Sequence, residues 1–198
     1  MPLFSQQYLS LCEDTTANTQ IGTPRRSVKY EGNSIVVTYG FNDAIVTEDP
    51  LFENCNLLRY NGFGLIDISG KPSLPVRKDA FSLTQYSSIE IIDTSYVEIP
   101  MELGPARPPL MDSDNTTYTQ QNTDTITPYQ GFYPANILSI DDIQYYRRKG
   151  LLWVSICPLQ YDYEHKIVRA YTKIKYRINI NNDGESPNTR ALSNHNYT

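Results

Sequence analysis

The residues that could make this chain an enzyme are few, because it has only three cysteines and two histidines. A catalytic Cys–His dyad would have to combine Cys157 with His165, which are close enough in sequence to meet across a hairpin. Cys157, however, stands in an apolar stretch directly before a proline, whereas a nucleophilic thiol needs an exposed, electropositive setting. The sequence therefore favours a core cysteine and a turn histidine over a hydrolase.

Other chemical motifs are absent or are better explained by structure. The chain contains no G-x-S-x-G, G-x-G-x-x-G, Walker or H-E-x-x-H sequence. Asp162, Glu164 and His165 could ligate a metal, but they fit a solvated hairpin turn better. The cysteines are Cys12, Cys55 and Cys157. Their odd number and wide spacing indicate neither a disulfide framework nor a zinc site, so no catalytic residue, metal or cofactor is predicted.

Composition predicts one globular, predominantly β domain. With 198 residues, a single domain can bury about 70% of the surface of its unfolded chain. The 16 tyrosines favour strands, where the ring packs on the pleated surface and the hydroxyl reaches water. A net charge of −5 offers no basic surface for nucleic acid, and no apolar stretch approaches the ~18 residues of a membrane span. We therefore expect neither nucleic-acid binding nor membrane insertion.

Short apolar runs between turn residues predict an antiparallel β-sandwich or a jelly-roll-like domain. The clearest strands are 34–39, which is β-branched, and 81–98, in which apolar and polar residues alternate. The apolar run 151–157 is expected to form a hairpin with the alternating stretch 166–180. These patterns predict a mainly β fold in which residues of each strand alternate between core and solvent.

One short helix is predicted over residues 139–149. Ser139 can cap its N-terminus, and Asp141 and Asp142 fall in the first turn, where the helix dipole favours negative charge. The basic residues 147–149 occupy the last turn, and Gly150 supplies the stop.

The predicted domain lies between two polar ends. Residues 1–29 are predicted to be an N-terminal arm, residues 30–180 the domain, and residues 181–198 a polar tail or linker. Within the domain, residues 104–130 form a long loop that opens with three prolines and continues as a tract of Asp, Asn, Thr and Gln. Loops longer than ~15 residues are uncommon in compact domains unless they are functional or disordered. This loop is therefore the first candidate for a functional segment.

Four segments, taken in order, resemble the propeptide of the gingipain-type cysteine peptidases, which are secreted enzymes of Bacteroidetes. They are the turn Gly70-Lys71-Pro72-Ser73-Leu74-Pro75, the element Phe132-Tyr133-Pro134, the stretch from Tyr146-Arg147-Arg148-Lys149-Gly150 to Pro158-Leu159-Gln160-Tyr161-Asp162, and the tyrosine-rich strand 166–178. Each motif is common on its own, so the resemblance rests on their order and spacing over residues 30–180.

The resemblance implies a non-catalytic β-sandwich prodomain that helps a cysteine peptidase catalytic domain to fold and keeps it latent, in cis or in trans. It also implies that a prodomain loop places a basic side chain in the S1 pocket of the peptidase. The loop 104–130 offers Arg107 as its one basic residue and, further along, Asp112, Asp114 and Asp124. These four are the predicted peptidase-binding residues.

The resemblance also has implications for processing and location. The residues after 180 are too few for a catalytic domain, so we expect an excised prodomain or a free-standing relative that acts as an inhibitor. Arg190 is the predicted processing point if a catalytic domain follows. The expected location is secreted, periplasmic or at the cell surface, with a signal peptide removed before this numbering begins.

A second class of function stays open at this stage. A secreted or surface β-sandwich can serve as a binding module of the adhesin or carbohydrate-binding kind, and 16 tyrosines could supply the stacked rings that sugar sites use. An exposed aromatic platform on one sheet face would favour this alternative.

Overall fold

The computed structural model describes residues 7–11, 21–50, 52–66, 68–83, 85–106, 109–111, 118–120, 126–140, 143–146 and 149–180. The strands are β1 (Gln7–Ser10), β2 (Arg25–Glu31), β3 (Ser34–Gly40), β4 (Asp43–Glu48), β5 (Asn56–Arg59), β6 (Gly64–Leu65), β7 (Pro75–Ser82), β8 (Ser88–Pro100), β9 (Pro109–Met111), β10 (Tyr118–Gln120), β11 (Phe132–Tyr133), β12 (Leu138–Ile140), β13 (Gln144–Tyr146), β14 (Lys149–Ile156), β15 (Leu159–Asp162) and β16 (Ile167–Asn179). The described part of the chain contains no helix long and apolar enough to cross a membrane.

The largest sheet has six strands and is built around β16. One edge of β16 pairs with β8 along its whole length, from Ile167 opposite Pro100 to Asn179 opposite Ser88. The other edge pairs first with β15 and then with β3, and β11 and β2 extend the sheet beyond these two strands. Because β16 has partners on both edges, it is the central strand of the domain.

A second sheet of five strands has β14 at its centre. β14 pairs with β7 on one edge and with β12 and β13 on the other, and β6 continues the sheet from β7. A third sheet contains β1, β4 and β5. β9 and β10 form a separate two-stranded ribbon within the long loop.

The two larger sheets pack face to face over one apolar core. The buried residues that meet there include Ile35, Val37 and Tyr39 of β3, Ile174, Tyr176 and Ile178 of β16, Phe81 of β7, and Leu152, Val154 and Ile156 of β14. Side chains alternate across a strand, so every second residue of these strands reaches the core. Each such aliphatic side chain contributes ~1.5–3 kcal/mol by its burial. This arrangement confirms the predicted mainly β fold of the sandwich type.

A buried carboxylate joins the two sheets. Asp79 of β7 accepts hydrogen bonds of 2.6 Å from the Tyr39 hydroxyl and 3.4 Å from the Tyr176 hydroxyl, both on the opposite sheet. The Nε atoms of Arg26 and Arg77 lie 3.1 and 3.2 Å from its two oxygens. Burial and the adjacent carboxylate raise the pKa of both tyrosines, so their hydroxyls remain donors. The cluster satisfies a charge that would otherwise be costly to bury.

The predicted helix over 139–149 is wrong for the residues that the structure describes. Residues 138–140 form β12 and residues 144–146 form β13, and both pair with β14. Gly150, the predicted helix stop, lies inside β14 opposite Tyr145. Aromatic residues such as Tyr145 and Tyr146 favour strands, and pairing with a strand of the core outweighs a charge pattern that suits a helix.

One predicted strand pairing differs in the structure. The sequence predicts a hairpin between 151–157 and 166–180, whereas β16 forms its hairpin with the short strand β15 and β14 belongs to the other sheet. The chain crosses between the sheets at Cys157 and Pro158, which connect β14 to β15. In the N-terminal part of the chain, β1 and β2, of which β2 ends at Glu31, pair with β4 and β3.

Candidate functional site at the base of the long loop

The buried thiol of Cys157 does not have the properties of a nucleophile. Its Sγ donates a hydrogen bond of 3.0 Å to the carbonyl of Leu159, and burial raises the pKa of the thiol to about 12. His165 is engaged elsewhere, because its Nδ1 lies 2.8 Å from Oδ2 of Asp162 in the turn before β16. Oδ1 of Asp162 also accepts the backbone N–H groups of Glu164 and His165. These side chains therefore build a turn and a core.

Metal ligation finds no support in the described segments. They contain no group of three or more His, Cys, Asp or Glu side chains that could hold a metal ion.

The N-terminal end of the long loop is fixed in the protein interior. Ala106 is fully buried, and its N–H donates a hydrogen bond of 2.7 Å to the carbonyl of Lys71. The carbonyl of Gly104 accepts a hydrogen bond of 3.1 Å from the N–H of Ser73. Pro105 forms an antiparallel bridge with Pro72 between these two bonds. Residues 104–106 therefore lie against the turn that begins at Gly70.

The C-terminal end of the loop returns to the same turn. The N–H of Thr127 donates a hydrogen bond of 2.9 Å to the carbonyl of Gly70. Ile126 beside it is only 5% exposed and belongs to the core. Two residues further on, the Tyr129 hydroxyl donates a hydrogen bond of 2.9 Å to the carbonyl of Tyr161. Both ends of the loop are thus held by the carbonyls of two consecutive residues, 70 and 71.

Position 70 requires a glycine, both for its backbone conformation and because a neighbouring side chain lies close to it. Its φ is +73°, a left-handed value that side chains other than hydrogen disfavour. A Cβ at this position would lie 2.5 Å from Oγ1 of Thr127, well inside van der Waals contact. The glycine that opens the family-like turn therefore allows the returning end of the loop to approach closely.

Lysines and tyrosine rings cover the base of the loop. Nζ of Lys71 lies 5.2 and 5.1 Å from the ring centres of Tyr129 and Tyr133. Nζ of Lys166 lies 4.1 Å from the ring centre of Tyr163, whose ring is 6.1 Å from that of Tyr129. Such cation–π contacts each contribute ~0.5–1 kcal/mol at exposed sites. The base is therefore stiffened by side chains as well as by backbone hydrogen bonds.

A two-stranded ribbon occupies part of the loop beyond the base. Met111 pairs with Tyr118 and Pro109 with Gln120, in antiparallel register. Among the described residues, β9 and β10 pair only with each other. The loop thus carries regular backbone pairing of its own between the fixed ends.

The predicted site residues lie outside the described residues. They are Arg107, Asp112, Asp114, Asp124 and Arg190. In sequence, Arg107 directly follows the buried Ala106, and Asp112 and Asp114 fall between β9 and β10. Their roles stay predictions. The base of the loop was not predicted from the sequence, because its main contacts are made by backbone carbonyls, which are the same in every residue type.

Exposed tyrosines do not form one platform in the described residues. Tyr8, Tyr30, Tyr96 and Tyr145 are the exposed tyrosines, and each lies on a different strand. Tyr30 and Tyr96 share a sheet, but the positions of β16 aligned with them, Ile178 and Tyr171, are about 23 Å apart at 3.3 Å per residue. Tyr96 is also covered by the guanidinium of Arg169, 4.6 Å from its ring centre. This distribution does not favour a sugar-stacking surface.

Comparison with known proteins identifies one family and solved structures with a similar fold. No curated protein matches the chain in sequence. The model of the family Propeptide_C25 matches residues 55–195, which include the whole of the long loop and both of its fixed ends.

Two solved structures from Porphyromonas gingivalis have a similar fold. The first, from a study of the zymogenic latency of gingipain K, has a TM-score of 0.69, is 12% identical, and covers 88% of this chain and 97% of its own chain. The second, the complex of the RgpB pro- and mature domains, has a TM-score of 0.63, is 18% identical, and covers 79% of this chain and 85% of its own.

Proposed function

Because this chain belongs to the Propeptide_C25 family, we propose that it binds the catalytic domain of a gingipain-type cysteine peptidase and keeps that peptidase latent. Membership of the family confirms the resemblance seen in the sequence and shows that the chain is a non-catalytic pro-segment. The two similar structures concern zymogenic latency and a complex of pro- and mature domains, which is the function proposed here.

The observation that carries the proposal is the fixed base of the long loop. Ala106 and Thr127 donate to the carbonyls of Lys71 and Gly70, so the segment between them leaves a rigid domain at two neighbouring points. A recognition segment that is already ordered at its base loses less conformational entropy on binding than a free peptide does. This geometry suits a segment that must occupy an active-site cleft tightly.

Within this segment, Arg107 is the residue that we propose for the S1 pocket. It follows the fully buried Ala106 directly in sequence, so it is the basic residue nearest to the fixed N-terminal end of the loop. Asp112, Asp114 and Asp124 are the alternative anchors if the partner peptidase accepts an acidic or neutral side chain. Arg190 is the proposed processing point, and residues 30–180 are the proposed inhibitory domain, between the arm 1–29 and the tail 181–198.

We also propose that the chain works outside the cytoplasm, as a secreted, periplasmic or surface protein. The support is its family, since a pro-segment is useful where the peptidase that it restrains is exported. The peptidase can be attached in cis or bound in trans.

An inhibition titration tests the proposed function. The purified chain is titrated against a gingipain-type peptidase, in parallel with Arg107→Ala, Asp114→Ala and Asp124→Ala. Arg25→Ala, on the exposed edge strand β2, is the matched control for loss of an arginine. The wild-type chain should inhibit at sub-micromolar concentration, and the anchor variant should be at least about 30-fold weaker, because interface hot spots are worth 2 kcal/mol or more.

Two outcomes would contradict the proposal. Absence of inhibition by the wild-type chain against every gingipain-type peptidase tested would refute the latency function. Equal inhibition by all the loop variants and the control would retain the function but refute the choice of anchor.

A further inference from the structure

We propose that the turn at Gly70 and Lys71 is a clamp that holds the two ends of the loop independently, so that one cut between residues 107 and 125 neither divides the domain nor ends inhibition. This inference rests on the proposed function, because it concerns the fate of the loop when the partner peptidase hydrolyses it. Hydrolysis consumes one water and leaves a new carboxyl terminus on one side and a new amino terminus on the other.

The strand topology keeps the two fragments together. A cut in the loop would leave β1 to β8 on the N-terminal fragment and β11 to β16 on the C-terminal fragment. β16 of the second fragment lies between β8 and β3 of the first. β14 of the second fragment pairs with β7 of the first from Leu151 opposite Ser82 to Ile156 opposite Arg77. The fragments therefore share both sheets and the core between them, and separating them requires unfolding of the domain.

The clamp keeps the two new ends in place. The N-terminal fragment is held at Ala106 by the carbonyl of Lys71 and at Gly104 by the N–H of Ser73. The C-terminal fragment is held at Thr127 by the carbonyl of Gly70. Neither set of hydrogen bonds depends on continuity of the chain between 107 and 125. Each side of the loop thus keeps its own attachment to the same rigid turn.

The consequence for regulation is that attack on the loop is not sufficient for activation. A peptidase that cuts the loop remains bound to the loop residues on both sides of the cut. Each side is still attached to the domain, so cutting increases the conformational entropy of the loop only a little. Release of the peptidase then requires a second event that removes or unfolds the whole domain. Gly70, Lys71 and Thr127 act here as positioning residues, with no contact to the peptidase required of them.

The test uses the full chain with a recognition sequence, for a site-specific protease that cuts after glutamine, inserted between Asn115 and Thr116. The insertion keeps every residue of the loop, and the uncut insertion variant serves as the reference. After cutting, size-exclusion chromatography under native conditions should show one species at the elution volume of the uncut chain, and denaturant should separate the fragments. Inhibition of the peptidase by the cut chain should weaken by less than about tenfold.

The Thr127→Pro variant in the same insertion background tests the clamp. Proline removes the N–H that bonds to the carbonyl of Gly70, whereas Thr127→Ala retains that N–H and is the matched control. Cutting should weaken inhibition by Thr127→Pro at least tenfold more than it weakens inhibition by Thr127→Ala. Size-exclusion chromatography of the cut Thr127→Pro chain shows whether its fragments stay together, which distinguishes a released loop end from a general loss of stability.

The outcomes separate this inference from the proposed function. If the uncut chain inhibits no peptidase, the proposed function fails, while the elution of the cut chain still decides whether the domain remains whole. If the cut fragments separate without denaturant, the inference is overturned whether or not the uncut chain inhibits. It is also overturned if cutting weakens the wild-type loop as much as the Thr127→Pro loop.

Discussion

Replacement of the buried carboxylate of Asp79 by an amide tests how the two sheets are joined. Asp79→Asn preserves shape but removes the charge that accepts from two tyrosine hydroxyls and two arginine Nε atoms. Breaking a buried ion pair costs ~3–5 kcal/mol, but Arg26 and Arg77 keep 31% and 24% of their side-chain surface exposed and can be partly hydrated. We therefore expect the free energy of unfolding to fall by about 3 kcal/mol, at the lower end of that range.

Urea denaturation followed by tryptophan fluorescence and circular dichroism measures this change. For a domain of this size, about 3 kcal/mol corresponds to a melting temperature lower by roughly 6–12 °C. Asp93→Asn is the matched control, because Asp93 forms an exposed ion pair with Lys173 on the outer face of the large sheet. If Asp79→Asn is no less stable than Asp93→Asn, the buried cluster does not join the sheets in the way described here.

Three further predictions concern the loop base, the thiol and the turn before β16. Gly104→Ala should lower the free energy of unfolding by about 1–3 kcal/mol, because its Cβ would overlap the buried carboxylate of Asp49. Gly40→Ala is the control and should be neutral, because a Cβ at that position meets no atom within 4 Å. Equal urea midpoints for the two variants would contradict this prediction. Alkylation followed by peptide mapping should modify Cys157 only after unfolding, because burial raises its pKa to about 12, and modification of the folded chain at neutral pH would refute its assignment to the core. Nuclear magnetic resonance should give His165 a pKa above its usual value of about 6.5, because Asp162 stabilises the protonated ring. The stabilisation from this pair is therefore fully present below the unfolded-state pKa and is lost as the pH rises through the folded-state pKa; an unchanged pKa in Asp162→Asn would refute the pairing.

The parts of the fold that the sequence predicts are those in which side chains alternate strongly. β3 and residues 174–178 of β16 have apolar residues at every second position, and both strands belong to the core. Local chemistry determined these elements, so they could be predicted from the sequence.

The parts that failed depend on long-range pairing. Residues 139–149 carry signals that suit a helix, but β14 offers a free edge to residues 138–140 and 144–146. β15 has four residues and follows a proline, so nothing local distinguishes it from a turn until β16 pairs with it. The base of the candidate site is a further case. It is held by the backbone carbonyls of Gly70 and Lys71, and because every residue has such a carbonyl, the sequence gives no sign of this role.

The central position of β16 has a consequence for the order in which the domain folds. Ile178 pairs with Ile35 and with Ile89, residues that are synthesised long before it. Pairings between residues so distant in sequence close late and slowly, because large loops must be ordered before any contact is gained. During synthesis, β3 and β8 therefore have no complete partner strand until residue 179 has been added. A chain that ends earlier lacks part of β16, the strand with which β3, β8 and β15 pair. A nascent chain of this topology therefore cannot complete its large sheet until synthesis is almost finished.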